Sequence, residues 1–176
     1  MHYTLNCGDV DTENIGAYSL LVTLIRPKSE GSVRLATANP RARPDVDVGY
    51  FSNPADLEPL RKGIRVALRV FDEVRKQGYP VVGDLAVPPD GGADDATLDA
   101  FIRAHARTIF HYACTCRMGQ STHGERPSVV DAELRVHGVR GLRVCDASVF
   151  PEIIGSHTMA PVVAVAEKCA DMLKAV

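Results

Sequence analysis

Apolar positions change their period along this chain, and the changes mark the elements. Residues 19–25 form an apolar, partly β-branched run. After the turn signal Pro27-Lys28-Ser29-Glu30-Gly31, residues 32–37 alternate with period two, the spacing of a half-buried strand. Asn39-Pro40 and Pro44 make the next turn, and Val46, Val48 and Tyr50 then alternate with Asp47 and Gly49. These three segments, near 20–25, 32–37 and 46–50, predict one antiparallel sheet with a covered face. The period then becomes helical: Leu60, Ile64, Ala67, Phe71 and Val74 predict a helix over 57–77, capped by Asp56, tolerant of Pro59 in its first turn and stopped by Gly78. Residues 81–93, rich in Pro, Gly and Asp, read as a loop. A second helix follows over 96–108, capped by Asp94 or Asp95, with Leu98, Phe101, Ile102 and His105 on one side. Short apolar runs at 129–130, 134–136 and 142–145 lead to a last helix that opens at Pro161 and runs to about Lys174. The fold class read from this order is α+β, an antiparallel sheet covered by helices, with a last strand and helix at the end.

Composition narrows the function classes. With 176 residues, 45% hydrophobic and 24% charged, the chain is long enough to bury a sizeable core. The formal charge is −2 and the Lys and Arg residues are scattered, so no basic stripe for nucleic acid is present and a small-molecule partner is expected. The longest apolar stretches, 19–25 and 160–166, are far shorter than the ~20 residues that span a bilayer. Residues 1–16 lack the basic-then-apolar pattern of a secretory signal, so any targeting signal is expected upstream and the location is left open. The five cysteines, Cys7, Cys114, Cys116, Cys145 and Cys169, are an odd set and predict free, mostly buried thiols. Cys114-Thr115-Cys116 with scattered histidines lacks the Cys-x-x-Cys pairs of structural zinc, and no metal site is expected.

Three stretches carry candidate chemistry. The first is His111-Tyr112-Ala113-Cys114-Thr115-Cys116-Arg117-Met118-Gly119, after a helix and ending at a glycine. Alone it says little, because a histidine in such a place is more often a hydrogen-bonded structural group than a catalyst. The second runs from Val130-Asp131 through Leu134-Arg135-Val136-His137-Gly138 to Leu142-Arg143-Val144-Cys145-Asp146-Ala147-Ser148, a hairpin leading into a buried strand. Here His137, Asp131 and Arg135 read as structural partners. The third, Gly155-Ser156-His157-Thr158-Met159-Ala160-Pro161, is a small-residue loop opening onto the last helix. Its histidine lies beside a helix N-terminus, where the positive end of the dipole favours the neutral imidazole.

Together and in this order, the stretches resemble the C-terminal signature of the glucose-methanol-choline (GMC) oxidoreductases. That signature is His-x-x-(Gly/Cys)-Thr-Cys-(Arg/Lys)-Met-Gly, then Val-Asp-x-x-Leu-Arg-Val-His-Gly-Val with an Asp-(Ala/Ser)-Ser, then (His/Asn)-(Thr/x)-x-x-Pro before a helix. The resemblance extends back through Gly31-Ser32-Val33-Arg34-Leu35 and Asn53-Pro54-Ala55-Asp56-Leu57. It implies an FAD-dependent oxidoreductase acting on CH–OH groups, in which a base takes the hydroxyl proton while hydride leaves the carbon for flavin N5. His111 falls on the family's active-site histidine and His157 on the second position, histidine in some branches and asparagine in others. The resemblance implies His111 as base and His157 as the group orienting the oxygen, with the two roles exchangeable. It places Asp146-Ala147 against the ribityl and pyrophosphate part of FAD and Thr158-Met159 by the pyrimidine end of the ring. It also implies a division into an extension (1–17), a substrate-binding domain with the first histidine (18–141) and a segment returning to the flavin domain (142–176).

Two departures qualify the likeness. Cys114 stands where many members have glycine, and Tyr112 replaces a frequent proline; with His-Thr-Met-Ala-Pro they point nearer the fungal aryl-alcohol and sugar-oxidising branches than choline oxidation. No Gly-x-Gly-x-x-Gly follows a strand, so the dinucleotide-binding unit that the family places first is expected outside this stretch. The expected partners are therefore an alcohol and a missing FAD-binding half, whether in one polypeptide or as a second chain; the other reading is a non-catalytic remnant serving as a structural or interaction domain. Some of Leu142, Val144, Val149, Val162, Val165 and Met172 are expected on an apolar surface that this missing half covers.

Overall fold

The computed structural model describes residues 3–5, 19–79, 87–124 and 126–175. They divide into two compact units, one of residues 2–30 with 50–109 and one of residues 31–49 with 110–176.

In the first unit a three-stranded antiparallel sheet has the order β2-β1-β5, from β1 (Tyr3–Leu5), β2 (Thr23–Leu24) and β5 (Ala106–Thr108). Tyr3 pairs with Leu24 on one side and with Thr108 on the other. Helix α1 (Leu57–Lys76) buries Leu57, Leu60 and Ile64, and α2 (Asp95–His105) buries Leu98 and Ile102, the last two wholly. These i, i+3/i+4 spacings put one apolar stripe on each helix and bring the two together. A Cβ at Gly63 of α1 would stand 2.5 Å from Val22 Cγ1, so the glycine admits the chain before β2 against the helix. Arg61 and Arg65 reach Asp95 at 2.8 and 2.7 Å, but these pairs are largely exposed and add little to the apolar contact.

The termini of these helices follow local chemistry. Asp94 accepts from Thr97 N at 2.8 Å and caps α2. Asp56 occupies the position before α1 yet makes no cap bond. Its carboxylate is instead 2% exposed and accepts from Lys28 N (2.7 Å) and Ser29 N (2.9 Å). The expected cap is therefore a clamp on a loop 27 residues away, because a carboxylate with two waiting backbone donors satisfies more orphan groups there than at the helix.

In the second unit β3 (Ser32–Arg34) pairs antiparallel with β4 (Asp45–Asp47), Val33 opposite Val46. The core gathers Val130, Leu134, Val149, Phe150 and Cys169, with Val162 and Val165 of α3 (Met159–Lys174) packed on it. Irregular backbone is held by cross-links: Cys114, Cys116 and Met118 donate their amides to the carbonyls of Ala147, Ser148 and Val149 at 3.2, 2.9 and 2.8 Å.

The α+β class stands, with several differences in detail. The segments near 20–25, 32–37 and 46–50 do not share one sheet: β2 pairs with β1, and β3 and β4 form a separate ladder. Residues 3–5, read as part of an extension, supply the middle strand. The helix expected over 96–108 ends at His105, and its last three residues become β5 because the edge of β1 offers them a ladder. The last helix opens at Met159, two residues before Pro161, since proline is tolerated anywhere its missing N–H would be an orphan. Of the loop expected over 81–93, residues 81–86 lie outside the described residues, as does Cys7.

Candidate functional site

His111 and His157 are 46 residues apart in sequence and meet in the second unit. His111 Nε2 lies 2.7 Å from His157 Nδ1, and the rings stand perpendicular, 89° apart with centroids at 4.9 Å. His111 is half-buried, and His157 is exposed. Two features bring them together. The segment after His111 is bonded through Cys114, Cys116 and Met118 to residues 147–149, and α3, which follows His157, packs Val162, Val165 and Cys169 on the core containing Val149. Phe110, just before His111, has a φ of 61° and Cys114 a φ of 71°, left-handed conformations that cost a non-glycine residue about 1 kcal/mol or more and turn the chain sharply on both sides of the histidine.

The other sequence-predicted residues surround this pair unevenly. Thr158 is the N-cap of α3 but makes no side-chain cap bond; its Oγ1 lies 3.3 Å from His111 Nδ1. Its backbone is helical (φ −80°, ψ −13°) and not extended as a capping residue's is, and the third residue of the helix, Pro161, has no N–H to offer. Asp146 is exposed and caps the short 3-10 turn Ala147–Val149, accepting from Ser148 N at 2.7 Å. Ala147 contributes the carbonyl that holds Cys114. Met159 is 77% exposed beside His157. The bond between Thr158 and His111 was not anticipated; Pro161 at the third helical position was its only signal.

His137 and His105 have other partners. His137 Nε2 lies 3.1 Å from Ser128 Oγ and 3.2 Å from Gly119 O, and His105 Nδ1 lies 2.9 Å from Phe101 O, both structural contacts. Asp131 accepts from the amides of Glu133 and Arg135 and from Arg135 Nε, the turn role expected of it. Burial works to raise its carboxyl, but the Arg135 amide and guanidinium outweigh this and hold it below the usual carboxylate range. Cys114, Cys116, Cys145 and Cys169 are not joined in disulfides, and of these four Cys169 alone is buried. Burial pushes the Cys145 thiol up, and a hydrogen bond with Cys169 adds to the effect.

A family model described as GMC oxidoreductase matches residues 27–166. The mitochondrial choline dehydrogenase of Mus musculus is 37% identical over 158 residues, covering 90% of this chain and 26% of that protein. Among solved structures, a fungal aryl-alcohol oxidase has a TM-score of 0.73 at 34% identity, covering 87% of this chain and 24% of that one. A formate oxidase of Aspergillus oryzae RIB40, in a study of its FAD modification, has a TM-score of 0.75 at 35% identity, covering 88% and 26%. The relatives thus include a choline dehydrogenase, an aryl-alcohol oxidase and a formate oxidase. The chain spans about a quarter of the length of the curated relatives it matches. Among the described residues, no helix is long and apolar enough to cross a membrane.

Proposed function

Because the chain belongs to the GMC oxidoreductase family, we propose that it forms the histidine-bearing part of an FAD-dependent enzyme that oxidises an alcohol to a carbonyl compound. The observation that carries this reading is the approach of His111 Nε2 and His157 Nδ1 to 2.7 Å. Two imidazole nitrogens that converge from separate loops mark a point where one oxygen can be held by both. Replacing their direct contact with two hydrogen bonds of about 2.8 Å to one tetrahedral oxygen sets the nitrogens roughly 4.5 Å apart, so the pair opens by about 2 Å on binding.

In that position His111 Nε2 accepts the hydroxyl proton, and His157 Nδ1–H donates to the oxygen as negative charge develops on it. The C–H bond of the carbinol breaks as the carbonyl forms, and bound FAD supplies the acceptor, N5, for the departing hydride. The residues present fit such a cofactor. With Thr158 turned to His111 and Pro161 third in the helix, the first turn of α3 keeps no side-chain cap, and the amides of Met159 and Ala160 would be available to the anionic edge of such a ring. Thr158 and Met159 would hold that end. Asp146, exposed and spending one oxygen on Ser148 N, with Ala147, would hold the ribityl and pyrophosphate part. The adenosine half would be held by a Gly-rich βαβ unit outside these 176 residues. Of the residues expected on an apolar surface for that half, Leu142 is exposed (49%), whereas Val149 is fully buried and Val144, Val162 and Val165 pack half-buried against the core.

The test is to purify the parent polypeptide, or this chain with its complementing half, and add primary alcohols without oxygen. Retained flavin absorbance that bleaches with alcohol supports the reading. A flavin-loaded protein that no alcohol bleaches overturns it.

A further inference from the structure

We propose that Thr158 is a positioning residue that sets the tautomer of His111: its Oγ1 accepts a hydrogen bond from Nδ1–H and so leaves the lone pair on Nε2, the atom that faces His157. The inference rests on the reading of the pair as a substrate-oxygen site and deepens it.

A neutral imidazole carries one proton, and the partner of one nitrogen decides the state of the other. Both nitrogens of His111 have partners here, Thr158 Oγ1 at 3.3 Å and His157 Nδ1 at 2.7 Å. Two proton arrangements satisfy such a chain, one running from Thr158 toward His157 and one running back. The idle acceptor capacity of Thr158 selects between them. A threonine at an N-cap ordinarily spends its lone pairs on the helix amides, but this one makes no cap bond and Pro161 has removed one of the amides. An oxygen with unspent lone pairs beside an imidazole nitrogen is an acceptor. With Nδ1 protonated, His111 Nε2 accepts from His157 Nδ1–H in the resting pair. When a hydroxyl enters, the same two atoms meet it in the required senses, one accepting its proton and one donating to its oxygen. Thr158 thereby does for His111 what an acceptor on Nδ1 does for catalytic histidines generally, holding ring and tautomer together.

Long-range proton–nitrogen NMR correlation on the ¹⁵N-labelled parent polypeptide reads directly which ring nitrogen carries the proton, with the His111 signals identified by their loss in His111→Gln. The expected result is an Nδ1-protonated His111 in the wild type and in Thr158→Ser, and an Nε2-protonated one in Thr158→Val. A wild-type His111 protonated on Nε2 overturns the proposal without any variant having to fold, and so does a folded Thr158→Val whose His111 stays protonated on Nδ1. In the flavin-loaded parent enzyme Thr158→Val should lower kcat about tenfold, the factor that one hydrogen bond supports, with rescue by Thr158→Ser. An Nδ1-protonated His111 in an enzyme whose turnover survives His111→Ala would leave this assignment standing and sink the proposed function instead.

Discussion

The two histidines present different nitrogens to their meeting point, and this makes their substitutions unequal. His157 uses Nδ1, bonded directly to Cγ, and the amide nitrogen of asparagine is the same number of bonds from the backbone; glutamine reaches instead to where Nε2 would be. If His157 serves by donating one hydrogen bond to an oxygen that becomes anionic, His157→Asn keeps a donor at the same place. A hydrogen bond to a charged group contributes about 1.5–3 kcal/mol, so His157→Ala should lower kcat/KM roughly 10- to 150-fold. His157→Asn should stay within about tenfold of wild type, and His157→Gln should resemble alanine, its amide placed too far along. The assay is steady-state alcohol turnover by the flavin-loaded parent enzyme, with flavin absorbance per protein as the control for cofactor loss. An asparagine variant that retains flavin and falls as far as alanine would refute the assignment of Nδ1–H as the working donor.

The remaining expectations concern the first unit. Asp56 should behave as a two-donor clamp and not as a helix cap: Asn equals Asp at an N-cap, yet Asp56→Asn sets an NH2 group against Lys28 N–H or Ser29 N–H and should cost roughly 2 kcal/mol, and Asp56→Ala about 3 or more. Urea unfolding measures both, and an asparagine variant as stable as wild type would restore the capping role. Asp94 is held below the ordinary carboxylate range, first by the Thr97 hydroxyl and then by the Thr97 amide. Its folded pKa is depressed, so the stability it lends α2 is present above the unfolded pKa and is lost as pH falls through the folded one. Circular dichroism on acidification should show this loss in wild type and less of it in Asp94→Asn, which caps without titrating; identical acid profiles would remove Asp94 from the account.

Much of this was legible in the sequence where one physical rule acted alone. The helical period from Leu60 to Val74 located α1 to within a residue of its observed end, and Asp94 two residues before Ala96 marked the start of α2. The three motif stretches drew His111 and His157 together through resemblance, and their contact of 2.7 Å agrees with a shared point. Illegible features were those where distant partners compete for one group. Asp56 had a local use as a cap and a distant one as acceptor for Lys28 and Ser29, and nothing in residues 53–60 shows the latter. Ala106 continues the helical spacing of Leu98 and Ile102, and pairing with β1 makes residues 106–108 a strand instead. Thr158 looked like part of a cofactor loop, and its bond to His111 depends on a fold contact that Pro161 permits but does not announce.

The most direct test of the central claim is the rate at which alcohol reduces bound flavin in a single anaerobic turnover, measured for wild type and His111→Ala in the parent enzyme at equal flavin content. A general base contributes on the order of 10²–10⁴-fold, so the variant should retain its flavin and bleach it slower by that factor. Bleaching at the wild-type rate would remove His111 from the reaction and contradict the account.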